Sequence, residues 1–320
     1  MTLKISNLAK RYRTGWVLRD VAFEAERGEV TGIFAPNRGG KTTLMRILAG
    51  AEKSNGGEIL YDSKDVAKLS PEKRGFLLPG LKQKGFFGGV HTDVFSNADE
   101  QIAALETALE NASGVLLLDD IFCFVDKRRR EAFFEKLRLT AKEKDLTVVF
   151  TANNFEEIFA VCDRVGVLLK GDIQQFGTPR EVYEFPANSG VAEATGRNNL
   201  IVARRLTSTK IDIPEFQTLA GEHRLFTDKT EKNALGALTQ NVCLAIRPEY
   251  ISISFGASFP EDNLLKATIA DIKFQGSTTL IRLDANGLIL EALVLRLVGL
   301  NVGEECMVGL PPDRISVLKD

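Results

Sequence analysis

Cysteine is scarce in this chain. Its four cysteines, Cys123, Cys162, Cys243 and Cys306, lie far apart, with no C-x-x-C pair and no histidine at zinc-ligand spacing. That argues against a disulfide framework and a structural zinc site, and fits a reducing compartment. Histidine is rarer: His91 and His223 stand alone, and neither is expected to carry chemistry. An excess of either charge is also missing, since 41 Lys+Arg face 43 Asp+Glu for a formal charge of −2. A near-neutral, mixed-sign chain argues against non-specific nucleic-acid binding and against a disordered polyelectrolyte. No uncharged apolar run approaches the roughly 20 residues needed to cross a bilayer. The longest candidate, Leu288 to Leu300, is interrupted by Glu291 and Arg296. The opening stretch, Met1 to Leu8, reads as a strand rather than as a signal peptide. The expectation is a soluble protein whose links to a membrane run through a partner.

What is present is enough for two cores: 320 residues, 44% of them hydrophobic. The first part alternates strand-like and helix-like segments. Val30 to Ala35, Val115 to Leu118, Thr147 to Phe150 and Val165 to Leu169 are short continuous apolar runs. Helical patterns over Lys41 to Leu48, Asp99 to Leu109 and Lys127 to Lys142 separate them. Continuous apolar strands divided by helices predict a sheet with a parallel core covered on both faces. After about residue 200 the texture becomes short alternating strands, Leu244 to Phe255, Ala267 to Phe274, Thr278 to Leu283 and Leu288 to Leu295. Asp284-Ala-Asn-Gly287 is a hairpin-type turn between the last two. The predicted fold is α/β over residues 1–185, a Pro/Gly/Ser-bearing linker over 186–200, and a small all-β, OB-like barrel over 201–320.

The strand Val30 to Ala35 runs into Pro36-Asn-Arg-Gly-Gly-Lys-Thr-Thr43 and then into a helix. A strand, a glycine-containing loop ending in Gly-Lys-Thr and a helix N-terminus make a P-loop. Its backbone N–H groups cradle phosphates, Lys41 reaches the β and γ phosphates, and the Thr42 hydroxyl ligates magnesium. Pro36, Asn37, Arg38, Gly39, Gly40, Lys41, Thr42 and Thr43 are therefore the candidate nucleotide-binding residues. The strict pattern asks for glycine at position 35, where this chain has Ala35.

The wider sequence resembles the nucleotide-binding subunits of ABC transporters, whose loop reads G-P-x-G-x-G-K-[ST]-T against A-P-N-R-G-G-K-T-T at positions 35 to 43. Upstream, Tyr12 in K-R-Y-R-T-G matches the aromatic residue on which that family stacks adenine. Downstream, Asp119 in V-L-L-L-D-D matches the carboxylate that holds magnesium through water. Leu244-Ala-Ile-Arg-Pro-Glu and Val308-Gly-Leu-Pro-Pro-Asp-Arg-Ile resemble the TOBE domain of importer ATPases of the maltose, polyamine and ferric-iron type. The resemblance covers nearly the whole chain. It implies a P-loop NTPase domain of ABC type followed by a TOBE barrel, with ATP or ADP and Mg2+ as ligands. It also implies transmembrane permease subunits as partners, and a cytoplasmic place at the inner face of the cell membrane.

The departures from that family fall on catalysis. The residue after the magnesium carboxylate, a water-polarising glutamate in the family, is Asp120, one methylene shorter; misplacement on the order of 1 Å can cost about a hundredfold in rate. The family's switch histidine falls on Asn153, an amide that cannot become a cation. Asp126, in F-C-F-V-D, still matches the aspartate loop. The signature L-S-G-G-Q has Phe95-Ser-Asn-Ala-Asp99 in its place, and Asp99 and Glu100 put carboxylates where a phosphate would bind. The helical subdomain that docks the permease is reduced to Lys82 to Val94, a glycine-flexed tip with Phe86 and Phe87; Gly80 sits where its glutamine would fall, and Gln83 is a shifted candidate. Arg38 replaces a loop glycine, at a cost if the backbone needs φ > 0. Its guanidinium either bonds a phosphate oxygen or blocks the site by pairing with a carboxylate.

Together these features predict a degenerate ATP-binding subunit of an ABC importer with weak or absent hydrolysis. It would be the non-catalytic half of an asymmetric pair with an intact ATPase subunit, and would reach the permease indirectly or through the Phe86-Phe87 tip. The rivals are a slow but working ATPase in a homodimer, and a scaffold that binds no nucleotide.

Overall fold

The computed structural model describes residues 2–79, 98–122, 125–210, 213–228, 235–255, 262–295 and 299–318. The chain divides into two units, Met1–Glu184 and Phe185–Asp320. The first unit opens on a hairpin, β1 (Leu3–Tyr12) and β2 (Gly15–Ala25), whose alternating residues bury Leu3, Ile5 and Leu8 on one face. Strand β3 (Val30–Phe34) leads through the glycine loop into α1 (Lys41–Leu48). The chain then returns to the hairpin sheet as β4 (Gly56–Tyr61) and β5 (Lys64–Asp65), giving the antiparallel order β2-β1-β4-β5. Helices α2 (Pro71–Arg74) and α3 (Ala98–Asn111) precede β6 (Val115–Asp119). Helix α4 (Lys127–Glu143), β7 (Thr147–Ala152), α5 (Phe155–Val161), β8 (Arg164–Leu169), β9 (Asp172–Gly177) and α6 (Pro179–Glu184) complete the unit.

The second sheet has the order β6-β7-β3-β8-β9, parallel except for β9. Every residue of β3 and β7 is buried, which is why their sequences are continuous rather than alternating. Gly32, at the centre of β3, is required by packing: a Cβ there would lie 2.7 Å from Cys162 Sγ and 2.8 Å from Ile158 Cδ1. Helix α5 therefore sits directly against the central strand. The expected strands and helices of this unit appear within a few residues of their predicted ends. On α3 the buried residues are Gln101, Leu105 and Leu109, whereas Ile102 is only partly covered.

The second unit holds α7 (Ser189–Ala194) and two antiparallel five-stranded sheets. The first consists of β10 (Asn199–Leu206), β11 (Glu215–Thr218), β12 (Arg224–Phe226), β13 (Asn241–Ile246) and β19 (Ser316–Leu318). The second consists of β14 (Ser252–Ser254), β15 (Asn263–Phe274), β16 (Thr279–Ala285), β17 (Leu288–Val294) and β18 (Glu305–Leu310). One buried cluster, including Phe216, Leu244, Ile269, Leu283 and Val308, joins the two sheets. The hairpin turn is two residues, Asn286 and Gly287, both with positive φ (53° and 87°), as a right-twisted hairpin favours. One expectation needs correction. Leu244 to Phe255 is not one strand, because Pro248, which has no N–H to donate, starts a 3-10 turn between β13 and β14. Within residues 186–200, expected as a linker, the chain forms α7. Asn188 caps α7 by accepting from the Val191 N–H at 2.9 Å, and the buried Arg247 guanidinium holds Ala192 O, Arg197 O and Thr195 Oγ1. Composition alone hid this cap and its distant clamp. Among the described residues no helix is long and apolar enough to cross a membrane.

Arg74 does for α1 what Arg247 does for α7. Its buried guanidinium donates to Ile47 O and Leu48 O at 2.7 Å each, to Ala67 O at 2.6 Å and to Leu69 O at 3.1 Å. The last carbonyls of a helix have no intrahelical donor and carry the negative end of its dipole, so a cation fits there. Arg74→Ala leaves the carbonyls it clamps without its donors, Ile47 O keeping only the Gly50 N–H at 3.0 Å, and is expected to destabilise the first unit by about 3 kcal/mol. The chain's single tryptophan, Trp16, lies on β2, so its fluorescence in a urea titration reports this unit; an unchanged midpoint would show that the clamp contributes nothing.

Candidate functional site

The site begins where β3 ends. Gly39 N–H bonds Pro36 O at 2.9 Å and turns the chain, and Leu44 N–H bonds Gly40 O at 2.9 Å as α1 starts. Arg38 and Gly40 both take positive φ, 64° and 98°. A Cβ on Gly40 would press on Leu18 and Val17 at 3.0–3.1 Å, so glycine is needed there for space as well as for φ. Arg38 holds the left-handed conformation with a side chain that costs on the order of 1 kcal/mol there. Among the described residues it forms no ion pair with a carboxylate.

Lys41 is buried although charged. Its ammonium donates to Ala35 O at 2.6 Å and Pro36 O at 3.2 Å, folding back across the loop. Burial pulls it below the usual lysine range, and the carboxylates of Asp120 and Asp119 oppose that shift. These two carboxylates come from the end of β6, which the parallel pairing brings level with β7, Asp119 opposite Thr151. Thr151 is fully buried. Its hydroxyl donates to Asp119 Oδ1 at 2.7 Å and accepts from the Asp120 N–H at 3.1 Å. Asp120 takes φ 48°, a conformation an aspartate tolerates better than most side chains. Its Oδ2 accepts a hydrogen bond from the Asn153 amide.

These pieces enclose a cavity of about 310 Å3 lined by Asn37 to Thr43 together with Val17, Asp120 and Asn153. That is the lower end of the size range for small-molecule sites. The sequence-predicted loop residues, Asp120 and Asn153 are thus brought together. Tyr12 ends β1 and reaches the same loop: its hydroxyl donates to Glu52 Oε1 and stands 3.5 Å from Thr43 Oγ1, with the ring partly exposed and Lys10 Nζ 5.1 Å from its centroid. Asp126 serves as N-cap of α4, accepting from the Arg129 N–H at 3.1 Å. Asp99, in the first turn of α3, pairs with Arg129. Gly80, Gln83, Phe86, Phe87, His91 and Phe95 to Asn97, with the rest of the Lys82 to Val94 tip, lie outside the described residues.

Two residues of the site are absent from the sequence reading. Val17 lies three residues after the loop that follows Tyr12 and faces the cavity through the β1–β2 pairing; no motif marks it. Thr151 precedes the switch position by two, and only the strand register links it to Asp119.

The donor set fits a nucleotide with magnesium. A buried lysine spanning a curve of backbone, a helix start without acidic residues in its first turn and a hydroxyl at Thr42 suit phosphate oxygens. Among the described residues no group of three or more His, Cys, Asp or Glu could hold a metal unaided. A magnesium ion here would share Thr42, Asp119 and the phosphates, the usual arrangement for an ion bound chiefly through substrate.

The family model for ABC transporters matches residues 18–148, and that for the TOBE domain matches residues 244–318. The spermidine/putrescine import ATP-binding protein PotA of Protochlamydia amoebophila is 29% identical, over 85% of this chain and 83% of its own. The sulfate/thiosulfate import ATP-binding protein CysA of Bacillus cereus is 30% identical, over 70% and 74%. The molybdate/tungstate import ATP-binding protein WtpC of Pyrococcus horikoshii is 27% identical, over 98% and 99%. In fold, the crystal structure of a nucleotide-free ATP-binding cassette from an ABC transporter matches with a TM-score of 0.53 at 16% identity, covering 62% of this chain and 100% of that one. With the phosphate loop, the paired aspartates and the two-sheet C-terminal unit in place, the chain belongs to the ABC transporter family, among its import ATP-binding subunits that carry a TOBE domain.

Proposed function

We propose that this chain is the non-catalytic half of an asymmetric ATPase pair in an ABC importer, holding Mg2+–ATP or Mg2+–ADP as a structural or regulatory ligand. The observation that carries the reading is the contrast inside one cavity. The elements that would hold the nucleotide are assembled, while Asp120, the carboxylate in the water-polarising place, is a methylene short and engaged by Asn153. Tyr12 would stack the base, the loop amides and Lys41 would hold the phosphates, and Arg38, free of a carboxylate partner among the described residues, would add a donor to them. Magnesium, shared by Thr42 and, through water, by Asp119, would neutralise phosphate charge. Asn153 supplies an amide where a cation would otherwise meet the γ phosphate.

The two carboxylates in the first turn of α3, Asp99 and Glu100, support the asymmetry. A carboxylate at the start of α3 repels a phosphate presented by a second subunit, so an intact partner would close on the nucleotide held by Lys41 but not the reverse. One closable site still draws the halves together, because a ligand gripped by both surfaces favours the closed state by its differential affinity. Contact with permease subunits would follow, and with it a place at the inner membrane face. The relatives' names range over polyamines, sulfate and molybdate, so this chain does not define the transported substrate. The slow-ATPase reading has one observation in its favour, that Asp120 lines the cavity.

Calorimetry on the purified chain is expected to show magnesium-dependent binding of ATP or ADP that Lys41→Ala abolishes. No heat at millimolar nucleotide would favour the scaffold reading. Turnover by the native chain alone should sit at background, and Asp120→Glu should not raise it to a family-like rate, because groups that act as a unit are not restored singly. Robust, Lys41-dependent phosphate release would promote the slow ATPase instead. Pull-down from the native host with and without ATP should recover a second, intact ATPase subunit; recovery of a symmetric homodimer alone would sink the asymmetric arrangement.

A further inference from the structure

Between the two aspartates and the rest of the site stands one buried hydroxyl whose role nothing in the motif pattern specifies. Thr151 lies on β7, fully buried, with Asp119 as its direct cross-strand neighbour in the parallel register. Its hydrogen-bond roles are determined by chemistry. The Asp120 backbone N–H can only donate, so the hydroxyl accepts there at 3.1 Å. Its single proton is then free to go to Asp119 Oδ1, at 2.7 Å. Val149 and Phe150, the preceding residues of the strand, are apolar and buried. A valine would fill the same space at 151 with the same β-branched shape, so packing alone does not call for a hydroxyl.

We propose that Thr151 is a positioning residue of the nucleotide site, fixing the Asp119 carboxylate for magnesium and anchoring the backbone turn that presents Asp120 to the cavity. The inference rests on the reading of this cavity as a magnesium–nucleotide site. With Oδ1 held by Thr151, Asp119 cannot rotate freely about its carboxylate axis. Among the described residues that oxygen carries its one hydrogen bond, which leaves Oδ2 for a metal-bound water. The same hydroxyl ties down the Asp120 amide at a residue with φ 48°. One group thus sets two carboxylates: one that faces the cavity and one a residue behind it. The charge-assisted bond to Asp119 is the stronger of the two, since hydrogen bonds to ionised groups are shorter and about twice as strong as neutral ones.

The role predicts a loss confined to the metal-dependent part of binding. Affinity of the full chain for ATP is measured by calorimetry in Mg2+ and again in EDTA. Thr151→Val is expected to weaken binding about tenfold in Mg2+, the size of one hydrogen bond to a charged group, and to leave the EDTA affinity within about twofold. Thr151→Ser, which keeps the hydroxyl, should restore the native magnesium dependence. In an Asp119→Asn background, Thr151→Val should add no further loss, because both changes act through the same carboxylate. Should the valine variant unfold, as read by Trp16 fluorescence, Thr151→Ala carries the same expectation. Equal weakening in Mg2+ and EDTA, full magnesium dependence in Thr151→Val, or additive losses with Asp119→Asn would each overturn the inference alone. A native chain that binds ATP in neither buffer overturns the nucleotide reading and this inference together.

Discussion

Strand β3 pairs with β7 and β7 with β6, all in parallel, with Phe34 opposite Ala152 and Asp119 opposite Thr151. Parallel pairing sends every strand's carboxyl end to the same edge of the sheet, so the three segments that leave that edge must meet there. One carries the glycine loop, one the two aspartates and one Asn153. A shift of one residue in β7 would turn Thr151 away from Asp119 and send the buried side chains to the opposite face. The burial of β3 and β7 on both faces makes such a slip costly, and so the hydrophobic core fixes the site's geometry.

Helix α1 is bracketed by two buried cations with opposite physical meanings. Arg74 sits on the carbonyls of its last turn, where the helix dipole is negative and a guanidinium is favoured. Lys41 sits at its first residue, where the dipole is positive and a cation is disfavoured. Burial adds to the penalty, and the ammonium relies on two loop carbonyls and on two nearby carboxylates. Such an arrangement weakens the isolated protein and becomes favourable when an anion enters the loop. Stability is thus placed at one end of the helix and function at the other.

The same division shows in backbone strain. Half of the non-glycine residues with positive φ among those described are Asn or Asp, the types that tolerate it best. Arg38 is a long side chain in that conformation, and Asp120 combines it with a hydrogen-bonded side chain; both border the cavity. Strain held where a ligand would bind is sustained by the surrounding fold. At Asp120 the restraints are the Thr151 hydroxyl on its backbone and the Asn153 amide on its side chain.

Apolar runs of four to six residues, separated by helical periodicity, were enough to predict the parallel sheet, because strands buried on both faces leave no other pattern. The Gly40-Lys41-Thr42 loop was equally legible, since phosphate chemistry restricts both residue type and spacing, and the Asp119-Asp120 pair was legible through its resemblance to the family's motif. The hairpin at Asn286-Gly287 followed from the need for positive φ at both positions. Other features depend on contacts between residues far apart in the chain, which a local pattern does not carry. Helix α7 is fixed by Arg247, more than fifty residues away, and the end of α1 by Arg74. Val17 enters the cavity through the pairing of its hairpin. Thr151 is an ordinary strand residue until the register sets it against Asp119, 32 residues earlier. Local sequence determined which segments form and which could hold phosphate. Tertiary pairing decided which side chains orient them, because a hydrogen bond between strands is specified by the alignment of two backbones rather than by either sequence.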